Sequence, residues 1–178
     1  MMMIGLYHSY TNRLNSLGDW ALPTLARLVF AAVLLRYFWG SALTKLDGPF
    51  RVTDGGYGQI FPRAFDAVGF DSSALGVFHY LVVLGGAWAE ILLPLAIVVG
   101  LFTRLAALGM IGFIVVQSLT DVIGHQVGPE TIGAWFDAAS GSVIADQRAF
   151  WILALLVLVA KGAGPLSVDR ALRQWVSG

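Results

Sequence analysis

Glu90 stands alone. It is the only charged residue between Asp71 and Arg104, inside the run GGAWAEILLPLAIVVG at 85–100. A carboxylate in so apolar a stretch is costly to bury, in a protein core or in a bilayer, and needs a cation or hydrogen-bond donors to compensate. Burial and a neighbouring cation pull a carboxylate's proton affinity in opposite directions, which suits such a group to proton exchange. A second set of reactive side chains lies close by in sequence. Gln117, Asp121 and His125 recur every four residues in QSLTDVIGH and fall on one helix stripe. His79 precedes Glu90 by eleven positions, which puts the two on one helix face. Histidines can hydrogen-bond a carbonyl and relay protons. Asp-x-x-x-His with a second histidine is also a spacing that divalent metals use, and paired histidines can ligate haem. The spacing is common by chance, so no metal site is assigned.

These residues must be positioned by elements that tolerate an apolar surface. The chain has 178 residues, 57% hydrophobic and only 12% charged, with a mean hydropathy of +0.75. Soluble domains carry about 25% charged residues. The composition therefore predicts an all-α integral membrane protein, a single domain over 1–178 solvated by lipid. The formal net charge is zero, which gives no footprint for nucleic acid. Cysteine is absent, which excludes disulfide chemistry and thiolate metal sites. Four segments are long enough to span, at about 23–46, 74–100, 103–124 and 147–162. Pro23 suits a helix start. The turn LFT makes the second and third helices an antiparallel hairpin. The expected architecture is a four-helix bundle with two longer loops at one end. In the second of these loops, ETIGAWFDAAS predicts a short interfacial helix with Trp135 and Phe136 on its apolar side.

Both termini and the hairpin share one side, which carries Arg13, Arg104, Arg170 and Arg173. The longer loops carry Arg51, Arg63 and Arg148 among many acidic residues. This bias predicts cytoplasmic termini. On the first helix Arg27 and Lys45 are eighteen positions apart and share a face, while Arg36 points the opposite way. Depth along the helix favours Arg36 as the partner of Glu90, with Arg27 as the alternative. His79, Asp121, His125 and Lys45 are expected to ring a mouth above Glu90. Trp39 and Trp88 stand near it and suit a flat ring.

The order of these features resembles the DoxX-like family of small four-helix membrane proteins. An arginine opens the first helix (Arg27), a lysine closes it (Lys45), and a glutamate sits in the second (Glu90). GLFTRLAAL at 100–108 and GAGPLSVDRAL at 162–172 complete the likeness. The sequence departs from the family at Ala42, where a glycine is usual, and at Arg36, where the family is apolar. The resemblance implies a bacterial cytoplasmic-membrane protein that works with redox partners, some relatives being small subunits of thiosulfate:quinone oxidoreductases. The expectation is a quinone-interacting subunit or partner of an oxidoreductase system, not an autonomous enzyme. Glu90 would exchange protons, and His79, Asp121, His125, Lys45, Arg27 and Arg36 would contact a quinone. The alternatives are a non-catalytic scaffold recruiting a periplasmic partner and a small carrier, which would require a homo-oligomer.

Overall fold

The computed structural model describes residues 2–178, whose regular structure is helical, with no strand among them beyond an isolated bridge between Leu46 and Val52. Four helical stretches are long and apolar enough to cross a bilayer: Leu6–Lys45, Val77–Val99, Thr103–Gly124 and Val143–Lys161. The first is built from α1 (Met2–Phe30), which begins ahead of it, a π-helical turn (Ala31–Leu35) and α2 (Arg36–Lys45). The others are built on α5 (Val77–Val99), α6 (Thr103–Leu119) and α8 (Arg148–Lys161). The helix does not begin at Pro23 but runs through it to Met2. The proline removes one N–H, so the carbonyl of Asp19 loses its helical partner, and no other breaker stops the helix. The side chain of Asp19 pairs with Lys161 at 2.5 Å, which ties the extension to the end of α8.

The helices form a closed ring in which α2 packs on α5, α5 on α6, α6 on α8, and α8 on α1. Phe30, Leu34, Phe38, Ile97, Met110, Ile114, Leu155 and Leu158 fill its centre, and Ala106 and Ala107 let α6 come close to its neighbours. The outside is studded with exposed Leu, Val and Phe, the pattern of a lipid-facing surface.

The longer loops are folded. In the first, α3 (Asp54–Ile60) and α4 (Pro62–Ala67) lie over the bundle end, with Tyr57 and Phe65 buried against Val83 of α5. Thr53 caps α3 by accepting from the Gly56 amide. Gly56 is required there: a Cβ would sit 2.9 Å from Val83 and 3.3 Å from the Lys45 side chain. In the second loop the expected interfacial helix is cut short. Only α7 (Pro129–Ile132) forms, because Gly133 takes φ +72° and ends it. Trp135 and Phe136 therefore stand outside any helix, both exposed.

Candidate functional site

Two polar clusters lie at opposite ends of the bundle. At the hairpin end, Arg27 is buried and satisfied entirely by backbone. Its Nε donates to the Ile97 carbonyl at 2.9 Å, Nη2 to Val98 at 2.6 Å, and Nη1 to Ala163 and Leu166 at 2.8 and 2.5 Å. Side chains lean toward the N-terminus of their helix, so Arg27 reaches back to the C-terminus of α5, where carbonyls lack partners and the helix dipole favours a cation. Gly100 ends α5 at φ +73°, and a Cβ there would collide with Ser167 at 2.6 Å and with the Arg27 guanidinium at 2.9 Å. Asp169 then accepts from the amides of Phe102 and Thr103 at 2.7 and 2.9 Å, capping α6 from a distant part of the chain. Burial alone would raise the Asp169 carboxyl, but the hydrogen bonds from Thr103 and Phe102, with Arg173 nearby, together hold it below the usual range. Ser167 caps α9 (Val168–Ser177) by accepting from the Arg170 amide.

At the loop end the arrangement differs. The partner of Glu90 is Lys45, not Arg36 or Arg27. Lys45 Nζ donates to both carboxylate oxygens at 3.1 and 2.9 Å, and Ser41 Oγ donates to Oε1 at 2.9 Å. Lys45 Nζ also donates to the Ser41 carbonyl and hydroxyl. Depth counted along Cα positions misleads here. Lys45 leans back along α2 into the bundle, while Glu90, on the antiparallel α5, leans up toward the loops. Both side chains are nearly inaccessible, at 5% and 3%. Pro94, four residues after Glu90, has no N–H to offer the Glu90 carbonyl, which loosens α5 beside the pair. Trp39 donates to the adjacent Ile91 carbonyl at 3.2 Å.

The ion pair faces a cavity of about 510 Å³ between α2, α5, α6 and the α3 cap. Gly85, Gly86, Gly109 and Gly112 leave the room for it. Tyr37, Gln59, Gln117, Asp121 and His125 share its wall with Lys45 and Glu90. Gln117 donates to the Tyr37 hydroxyl at 2.9 Å, and its Oε1 is buried with no hydrogen-bond partner. His125 Nε2 lies 2.9 Å from the Gln59 carbonyl, joining α3 to the end of the third span. Asp121 is bound by Arg148 at 2.6 Å, and Arg148 also donates to Ser118 at 2.9 Å.

Of the residues singled out in the sequence, Lys45, Glu90, Gln117, Asp121 and His125 come together around the cavity. His79 does not line the cavity; it packs edge-on against Phe61, with centroids 4.8 Å apart, and its Nδ1 is buried without a partner. Arg27 is committed to the hairpin end. Arg36 is exposed on the outer face of α2, and Trp88 donates to the Pro49 carbonyl, away from the cavity wall. Among the described residues no three His, Asp or Glu side chains converge to hold a metal ion. Sequence reasoning missed Arg148, which it counted only as a loop charge, and Gln59 and Tyr37. Arg148 had a signal: a basic residue at the start of the fourth span, level with Asp121 at the end of the third.

No curated protein and no solved structure is significantly similar to this chain. The sequence model of the DoxX family matches residues 22–126, which takes in Arg27, Lys45, Glu90 and the whole cavity wall. Spanning more than half of its length, that match identifies the chain as a multi-pass membrane protein that belongs to the DoxX family.

Proposed function

We propose that the protein is a quinone-interacting membrane subunit or partner of an oxidoreductase system, with Glu90 as its proton-exchanging group. The observation that carries this reading is the cavity walled by the Lys45–Glu90 pair together with Gln59 and Gln117. Its volume of about 510 Å³ lies within the range of small-molecule sites, roughly 300–1,000 Å³. The donor set fits a quinone ring. Gln59, which spends one amide N–H on Thr44, has a second suited to a ring carbonyl, and the Gln117 amide oxygen is an acceptor suited to the hydroxyl of the reduced form. A bound quinone supplies two-electron, two-proton chemistry, with the electrons delivered by a partner protein.

The chain's own residues manage the proton. Lys45 and Ser41 hold the Glu90 carboxylate in one orientation, and a proton gained at its oxygens would weaken the bonds from Lys45, so protonation and the ion pair are coupled. The contact between His125 and the Gln59 carbonyl ties the α3 cap to the third span at the mouth of the cavity. The cytoplasmic placement of both termini, expected from the arginine bias, would put this mouth on the outer side of the membrane.

The test is mass spectrometry of small molecules that co-purify with the protein in mild detergent, comparing wild type with Glu90→Gln. Stoichiometric quinone in wild type and its loss from a folded variant support the reading. Absence of quinone from both favours a scaffold that recruits a periplasmic partner. Flux in proteoliposomes without a redox partner would instead favour a carrier.

A further inference from the structure

The face of α2 opposite the cavity carries a charge with nothing to meet it. Phe38, Ala42 and Lys45 are the buried residues of α2. Arg36 points away from them and is exposed, flanked by exposed Val33 and Leu43. Among the described residues it makes no hydrogen bond and no ion pair, whereas Arg27, Lys45 and Arg148 are all buried and bonded, and the exposed Arg13, Arg104 and Lys161 lie toward the ends of their spans. Arg36 lies nine residues from both Arg27 and Lys45, roughly 14 Å from each along the helix. That is the middle of the hydrocarbon layer, too deep for the snorkelling that serves cations near helix ends. An ionisable side chain at this depth normally faces the bundle interior or a partner. Here the interior lies on the other side of the helix.

We infer that the Arg36 face of α2 is a docking surface for a transmembrane helix of another protein, one that carries an aspartate or glutamate near the bilayer midplane. Charge complementarity selects this occupant over a second copy. The carboxylates within this chain's own spans are Asp19, Glu90, Asp121 and Asp146; the first three are engaged by Lys161, Lys45 and Arg148, and Asp146, at the loop end of its span and far from the midplane, accepts from the Ser142 amide and hydroxyl. A second copy would thus set Arg36 against Arg36, a repulsive pairing. The shape agrees with the charge. Gly40 lies one turn beyond Arg36 on the same exposed face, and a Cβ built on it meets nothing within 4 Å, so a neighbouring backbone can approach closely. An acidic helix seated there would give Arg36 a bidentate partner in a low-dielectric setting, where such a pair is specific in geometry.

The experiment uses the full chain, which lacks cysteine, labelled with a donor dye at a single Ser177→Cys and reconstituted in phosphatidylcholine vesicles. The probe is a synthetic Leu/Ala helix of about 20 residues with one central glutamate, carrying an acceptor dye. Otherwise identical helices with leucine or lysine at the centre serve as controls. Energy transfer should report association of the glutamate helix at least tenfold tighter than that of the leucine helix. Arg36→Leu should abolish the difference, and Arg36→Glu should transfer the preference to the lysine helix. Gly40→Leu, which leaves the arginine in place, should weaken binding by obstructing close approach. Equal binding of all three helices overturns the proposal, as does a glutamate preference that survives Arg36→Leu. Two other outcomes also overturn it. Loss of the preference on adding phosphatidylglycerol would assign Arg36 to lipid headgroups, and transfer between two labelled copies that requires Arg36 would assign the face to self-association.

Discussion

The two ends of the bundle use buried cations in different ways. At the hairpin end every partner of Arg27 is a main-chain carbonyl, and the cluster holds the end of α5, the start of α6 and the turn after α8 in one place. All three guanidinium nitrogens of Arg27 are bonded, and the residue is not among those that wall the cavity at the other end. At the loop end Lys45 is bonded to side chains, one of which can gain or lose a proton, and the pair borders open volume. A cation satisfied by backbone is fixed by the fold, while a cation satisfied by a carboxylate can be released by chemistry. Under the proposed function, that difference makes one cluster a structural clamp and the other the working site.

Breaking the hairpin cluster should have the largest effect. Arg27→Met removes the donor from four carbonyls, two of them in buried hydrogen bonds, and should cost about 3–5 kcal/mol, seen as a loss of monodisperse protein after extraction. Gly100→Ala should cost less, about 1–3 kcal/mol, through left-handed strain and contact with Ser167, read as a lower thermal midpoint. Acid should weaken the same end by a smaller amount. Asp169 is held below the usual carboxylate range, so its contribution is complete above the ordinary aspartate pKa of about 4 and is lost as pH falls through its lower folded value. Asp169→Asn should flatten this acid limb in a thermal series below about pH 4. The cavity pair should behave in the opposite way. Replacing both partners, Lys45→Met with Glu90→Met, should change stability by about 1 kcal/mol or less, since an apolar pair removes both desolvation costs. The same protein should lose its ligand.

Much of the architecture could be read from the sequence. The apolar runs mark all four spans, the three-residue turn marks the hairpin, and the eighteen-residue spacing places Arg27 and Lys45 on one face with Arg36 opposite. What could not be read depended on side-chain lean and on long-range contacts. Lys45 was too far from Glu90 by residue count, yet on antiparallel helices the two side chains reach toward each other. The extension of α1 past Pro23 follows from a helix that accepts one missing bond, and sequence patterns assign proline to starts more readily than to interiors. Gln59 entered the site because α3 folds back over the bundle, a placement set by the burial of Tyr57 and Phe65 rather than by any local motif.

The most direct test of the division between the two ends is a quinone titration of purified protein in lipid nanodiscs, with thermal unfolding followed on the same samples. Wild type should bind one quinone per chain saturably. The Lys45→Met/Glu90→Met protein should unfold at the wild-type temperature and bind none. Equal binding by the double variant, or a collapse of its stability like that of Arg27→Met, would contradict the account and make the Lys45–Glu90 pair a second structural clamp.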